Sequence, residues 1–129
     1  MMTPRQILDS FRTIAVVGIS AKPDRPSNDV ASFLKARGYR IVPVNPGLEE
    51  VLGETCYPDL PSIPFPVEIV DIFRRSEEVE PIVDQAIAIG AKAVWMQLGV
   101  VNEAAAAKAR AAGLEVVMDN CPKIVLGRI

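Results

Sequence analysis

At 129 residues, 50% of them apolar, the chain is long enough for one domain that buries roughly two thirds of its unfolded surface. Its formal net charge of −2 argues against bulk attraction to nucleic acid or an anionic membrane, so any phosphate site must be local. Histidine is absent, which removes Ser-His and Cys-His catalysis, histidine metal ligation and phosphohistidine chemistry together.

Thr3, Pro4 and Gln6 match the N-cap, first-turn proline and third helical position of a capping box, predicting a short helix to about Phe11. A strand follows over residues 13–19. A helix over residues 27–37 places Val30, Phe33 and Leu34 on one face, and Gly38 ends it before a second strand, residues 39–44. Between residues 44 and 66, Pro46, Pro58, Pro61, Pro64 and Pro66 predict a rigid surface connection with at most one helical turn.

A third strand, residues 67–73, leads into a helix whose predicted N-cap is Ser76. Glu77 and Glu78 occupy its first turn, and Val79, Ile82, Val83, Ala86 and Ile87 form its inner face. Residues 93–96 form a fourth strand, Asn102 caps an alanine-rich helix to Ala112, and residues 115–118 form a fifth strand. This order predicts a single α/β domain over residues 1–129. It is a Rossmann-like, doubly wound, three-layer architecture with five parallel strands and helices on both faces. The apolar runs are strand-length, and Arg5 and Asp9 interrupt the N-terminus, so neither a transmembrane helix nor a signal peptide is expected. The chain reads as cytoplasmic.

The first strand and the turn after it, T-I-A-V-V-G-I-S-A-K-P-D-R-P-S-N, have the outline of a phosphate-binding strand, turn and helix. Gly18 permits a sharp turn, Lys22 and Arg25 supply positive charge, and Pro26, Ser27 and Asn28 are residue types that open helices. The turn fits no common fingerprint. In G-x-G-x-x-G the second and third glycines fall at Ser20 and Pro23; G-x-S-x-G fails at Lys22; a Walker-type loop occurs nowhere.

In a parallel sheet, ligands bind beyond the carboxyl ends of the strands, where connections diverge to opposite faces. The strand ends here are the segments Gly18 to Lys22, Val44 to Pro46, Ile72 to Arg75, Met96 to Val100 and Asp119 to Pro122. A nicotinamide cofactor would call for a carboxylate at the second strand end to bind the ribose hydroxyls, and Asn45 stands there instead. An uncharged residue tolerates a phosphorylated ribose.

Core burial accounts for Trp95, within a strand, better than base stacking does. Arg74 or Arg75 can pair with Glu77 or Glu78 in a solvated cluster. Cys56 and Cys121 form no C-x-x-C, so no zinc or thioredoxin-like motif is read; Cys121 is the thiol near the ligand edge.

The segments V-V-G-I-S, K-P-D-R-P-S, G-Y-R-I-V-P-V-N-P, V-D-I-F-R-R-S-E-E-V, G-A-K-A-V-W-M-Q-L-G-V-V-N-E and A-G-L-E-V-V-M-D-N-C-P-K-I together resemble the small stand-alone coenzyme A-binding proteins. These are similar in fold to the nucleotide domain of the succinyl-CoA synthetase alpha subunit. The resemblance spans nearly the whole chain. It implies a diphosphate cradle at Gly18, Ile19, Ser20 and Lys22 with Arg25, Pro26, Ser27 and Asn28, and an adenosine side at Val44, Asn45 and Pro46. Ile72, Phe73 and Arg74 then flank the adenine or pantetheine path, and Gln97 and Gly99 form the far wall. Asn28 stands where such proteins often carry an aromatic residue, and Val125 where they often carry glutamate.

The expected function is therefore a binding module for coenzyme A or an acyl derivative, without catalysis of its own, nucleic acid or membrane, and with homodimerisation left open. The competing readings are a nicotinamide-dependent reductase, against which the missing glycines and missing carboxylate count, and a thiol-based redox or interaction protein using Cys121.

Overall fold

The computed structural model describes residues 1–127. The chain opens with α1 (Pro4–Ser10), closed by the predicted capping box: Gln6 N donates to Thr3 Oγ1 at 3.1 Å and Thr3 N donates to Gln6 Oε1 at 2.8 Å. Then follow β1 (Thr13–Val17), α2 (Pro26–Ala36) and β2 (Arg40–Val44). The proline-rich connection holds a two-stranded hairpin, β3 (Glu50–Val51) and β4 (Glu54–Thr55), rather than a helical turn. Leu52 and Gly53 both take positive φ, 54° and 75°, the geometry of a tight hairpin turn, and Val51 and Cys56 are buried against the core.

Next come β5 (Ile69–Ile72), α3 (Val79–Ala88), β6 (Ala93–Met96), α4 (Glu103–Ala111), β7 (Glu115–Val117) and α5 (Pro122–Gly127). The expected Ser76 N-cap is corrected: residues 76–78 form a 3₁₀ turn, and the Ser76 hydroxyl accepts from Val101 N at 3.0 Å. Pro81 explains this, because it has no N–H for the Glu77 carbonyl and the regular ladder cannot begin a turn earlier. Asn102 caps α4 as expected, accepting from Ala105 N at 2.9 Å. The terminal α5 was not anticipated from sequence.

The five main strands are all parallel, in the order β2-β1-β5-β6-β7. Side chains alternate strictly between faces. Ile14 and Val16 of β1 join the layer under α1, α2 and α5, while Ala15 and Val17 join the layer under α3 and α4. Trp95 is fully buried in the first layer, and its indole N–H donates to the Asn120 carbonyl at 3.0 Å. No helix among the described residues is long and apolar enough to cross a membrane.

Candidate functional site

The strand order reverses direction between β1 and β5, so the connections after these two strands depart to opposite faces and leave a crevice at their carboxyl ends. Gly18 ends β1 in this crevice with φ +86°. A Cβ there would lie 2.3 Å from the Phe73 carbonyl oxygen and 2.8 Å from Arg74 Cδ, so no side chain fits.

The turn that follows is held by its own small polar residues. Ser20 N donates to Ser27 Oγ at 2.9 Å, Asn28 Nδ2 to the Ser20 carbonyl at 2.9 Å, and Lys22 N to Ser20 Oγ at 3.1 Å. From the neighbouring strand end, Asn45 Nδ2 donates to the Ile19 carbonyl at 2.8 Å and its Oδ1 accepts from Gly47 N at 2.8 Å. Ser27, Asn28 and Asn45 thus fix the shape of the loop. The N-terminus of α2 carries no side-chain cap, so its first-turn N–H groups keep their capacity for an anion.

Three cavities meet at Gly18. One, about 470 Å³, runs between the ends of β1 and β2 and α3, with Val44, Pro46, Ile82 and Arg74 on its walls. A second, about 610 Å³, lies on the other side, bordered by Ser27, Phe73, Gln97, Gly99 and Cys121. The third, about 440 Å³, sits over the turn itself, with Ile19, Ser20, Lys22, Arg25 and Asn45. Arg74 borders the first and second, and Arg25 the second and third, so the three form one branched groove.

The cations of the groove differ in availability. Lys22 and Arg25 are exposed and take part in no ion pair among the described residues. Arg74 is hydrogen-bonded to Glu78, and Arg75 Nε lies 3.3 Å from the same carboxylate. The Arg74 hydrogen bond, reinforced by the charges of both arginines, holds Glu78 below its ordinary pKa.

Of the residues expected at the site, all but two border this groove: Gly18, Ile19, Ser20, Lys22, Arg25, Pro26, Ser27, Val44, Asn45, Pro46, Phe73, Arg74, Gln97 and Gly99. The exceptions are corrections. Ile72 is fully buried under α3 and α4, because the strand pleat turns it away from the crevice. Asn28 is 5% exposed and braces the turn from within. Ile19 is itself fully buried, and its carbonyl accepts from Asn45 Nδ2 within the turn.

Sequence reasoning placed Leu98 and Val100 at a strand end without giving them a role, and it missed Val30 of the second cavity and Pro58 and Gln85 of the first. It also passed over Asp71, a carboxylate in the middle of an apolar strand, which was signal enough. Asp71 is fully buried between Val16 and Trp95 in the register, and neither carboxyl oxygen has a hydrogen-bond partner among the described residues. Burial alone pushes its pKa well above the ordinary carboxylate range.

Residues 12–127 match the family model described as CoA binding domain. The chain belongs to this CoA binding domain family. It is 39% identical over 120 residues to the uncharacterized protein YneT of Bacillus subtilis, covering 93% of this chain and 89% of that one. Its fold matches the structure of a hypothetical protein from Pyrococcus horikoshii with a TM-score of 0.92 and 42% identity, over 98% of this chain and 94% of the other. A more distant relative is the ADP-forming acetate–CoA ligase II of Archaeoglobus fulgidus, 29% identical over 83 residues. That match takes in 63% of this chain but 12% of the ligase.

Proposed function

We propose that this chain binds coenzyme A across the carboxyl edge of its sheet and acts as a binding module without chemistry of its own. The observation that carries the reading is the meeting of three unlike cavities at Gly18, beneath an uncapped helix terminus and beside two cations that form no ion pair among the described residues. Coenzyme A has three unlike parts joined at a diphosphate. The phosphates suit Lys22, Arg25 and the start of α2. The apolar walls of Val44, Pro46 and Ile82 suit the adenosine end, and the second cavity suits the pantetheine arm.

Two further features support binding without catalysis. The part shared with the acetate–CoA ligase is a small fraction of that enzyme. The groove also holds no histidine, and of the carboxylates bordering its first cavity, Asp59, Glu77 and Glu78, the last is engaged by Arg74 and Arg75. Cys56 and Cys121 are both buried and unpaired, the usual condition of thiols in a reducing cytoplasm, and we assign the protein there.

The test is thermal unfolding with added ligand. A ligand at a hundredfold excess over its Kd stabilises the native state by about 2.7 kcal/mol. Coenzyme A should therefore raise the melting temperature by several degrees, while NAD and NADP at the same concentration leave it unchanged. Equal stabilisation by NAD would contradict the assignment.

A further inference from the structure

Arg74 stands where the cavities meet, yet its charge is already engaged. Its Cδ would lie 2.8 Å from a Cβ on Gly18, so the aliphatic stem runs over that glycine, and the residue borders both the first and the second cavity. The guanidinium beyond the stem donates to Glu78, which also borders the first cavity. We propose that Glu78 is an internal competitor for the ligand's diphosphate: it holds Arg74 in the free protein and gives it up to the phosphates on binding. The proposal rests on the coenzyme A reading given above and adds to that site a residue that opposes binding and so sets its affinity.

The pair follows from the local sequence. Pro81 delays α3 and leaves residues 76–78 as a 3₁₀ turn, with Glu78 N donating to the Arg75 carbonyl at 2.8 Å. That turn brings Glu78 back beside the end of β5, where one carboxylate meets two guanidiniums: Oε2 accepts from Arg74, and Oε1 lies 3.3 Å from Arg75 Nε. Glu78 is the N-cap of α3, but its side chain accepts no capping hydrogen bond, so helix initiation gives the carboxylate no role.

The energetics favour exchange. Arg74 and Glu78 are both partly exposed, and ion pairs in that setting hold weakly because water screens them. A diphosphate offers Arg74 more negative charge than one carboxylate does, with oxygens spaced for the guanidinium fork. Glu78 is not stranded when Arg74 leaves, since Arg75 stays beside it. With the stem already seated over Gly18, turning the side chain beyond Cδ moves the guanidinium off Glu78. Lys22 and Arg25 need no such release, because they form no ion pair among the described residues.

The experiment is a double-substitution cycle read by titration calorimetry of coenzyme A into the wild-type chain, Glu78→Gln, Arg74→Met and the double variant. Arg74→Met keeps a stem over Gly18 without the charge, and Glu78→Gln removes the charge at constant size; ligand-free melting curves verify that each variant is folded. Glu78→Gln should tighten coenzyme A binding by about threefold to fivefold. Arg74→Met should weaken it, and more steeply once Glu78 is replaced. On the Arg74→Met background, Glu78→Gln should change affinity by less than about twofold, because no cation is left to release. Weaker binding by Glu78→Gln would make Glu78 a support that positions Arg74, equal tightening on both backgrounds would make it a general repulsive charge, and unchanged affinity would leave Arg74 out of the phosphate site. Each of these overturns the proposal while the coenzyme A reading stands. Absence of saturable heat in all four proteins would overturn that reading and the proposal with it.

Discussion

Gly18 lies so close to the Phe73 carbonyl that a Cβ atom would stand 2.3 Å from its oxygen. This contact seals the crevice between β1 and β5 and sets the floor on which all three cavities meet. Gly18→Ala must push the strands apart as well as strain its own backbone at φ +86°, and is expected to destabilise the fold by about 1–3 kcal/mol and to abolish the coenzyme A-induced rise in melting temperature. Gly99→Ala serves as the control. Gly99 also has positive φ, +79°, but nothing lies within 4 Å of its added Cβ, so chemical denaturation should show the smaller loss.

Arg25 and Lys22 are the groove cations without an ion-pair partner among the described residues, whereas Arg74 and Arg75 are engaged by Glu78. A charge-assisted hydrogen bond contributes about 1.5–3 kcal/mol, so Arg25→Ala should weaken coenzyme A binding by about tenfold to a hundredfold. The ligand-free melting curve should stay in place, because exposed substitutions usually change stability by less than about 0.5 kcal/mol. Unchanged affinity would move the diphosphate elsewhere along the groove.

Asp71 makes stability depend on pH in an uncommon direction. Its folded pKa lies well above the ordinary range, so the native state keeps a proton that the unfolded chain releases above pH about 3.9. Stability therefore falls as pH rises from there, by about 1.4 kcal/mol per unit, and levels off once the folded pKa is passed. Asp71→Asn keeps the shape without the ionisation. Denaturation midpoints across pH about 4 to 8 should lose this slope in the variant, which becomes the more stable protein at neutral pH. A wild-type slope retained by the variant would assign the pH dependence to other groups.

Much of the frame was readable because its signals are local. The apolar runs of β1, β2, β5 and β6, the Thr3–Gln6 capping box and the Asn102 cap each report on neighbours a few residues away. The β3–β4 hairpin escaped because two-residue strands carry no periodicity, and its turn is Leu52-Gly53 rather than the Asn-Gly pair that marks such turns. Ser76 misled for a similar reason: the residue type suits a cap, but Pro81, five positions on, delays the helix.

The site was legible as a set of loops and not as a shape. That Gly18, Lys22, Asn45, Phe73, Arg74 and Gln97 share one edge follows from parallel strands alone. Their grouping into three cavities depends on the order β2-β1-β5-β6-β7, which no single segment encodes. Ile72 and Phe73 show the limit at the scale of one residue. They are adjacent in sequence, yet the pleat sends Ile72 into the core and leaves Phe73 on the groove.

The most direct test of coenzyme A binding is titration calorimetry of reduced coenzyme A into the purified chain, with NAD and NADP titrated in parallel. The expected result is saturable heat at one coenzyme A per chain, with a Kd on the order of micromolar and no saturation for either nicotinamide cofactor. Absence of saturable heat with coenzyme A, or an equal affinity for NAD, would contradict it.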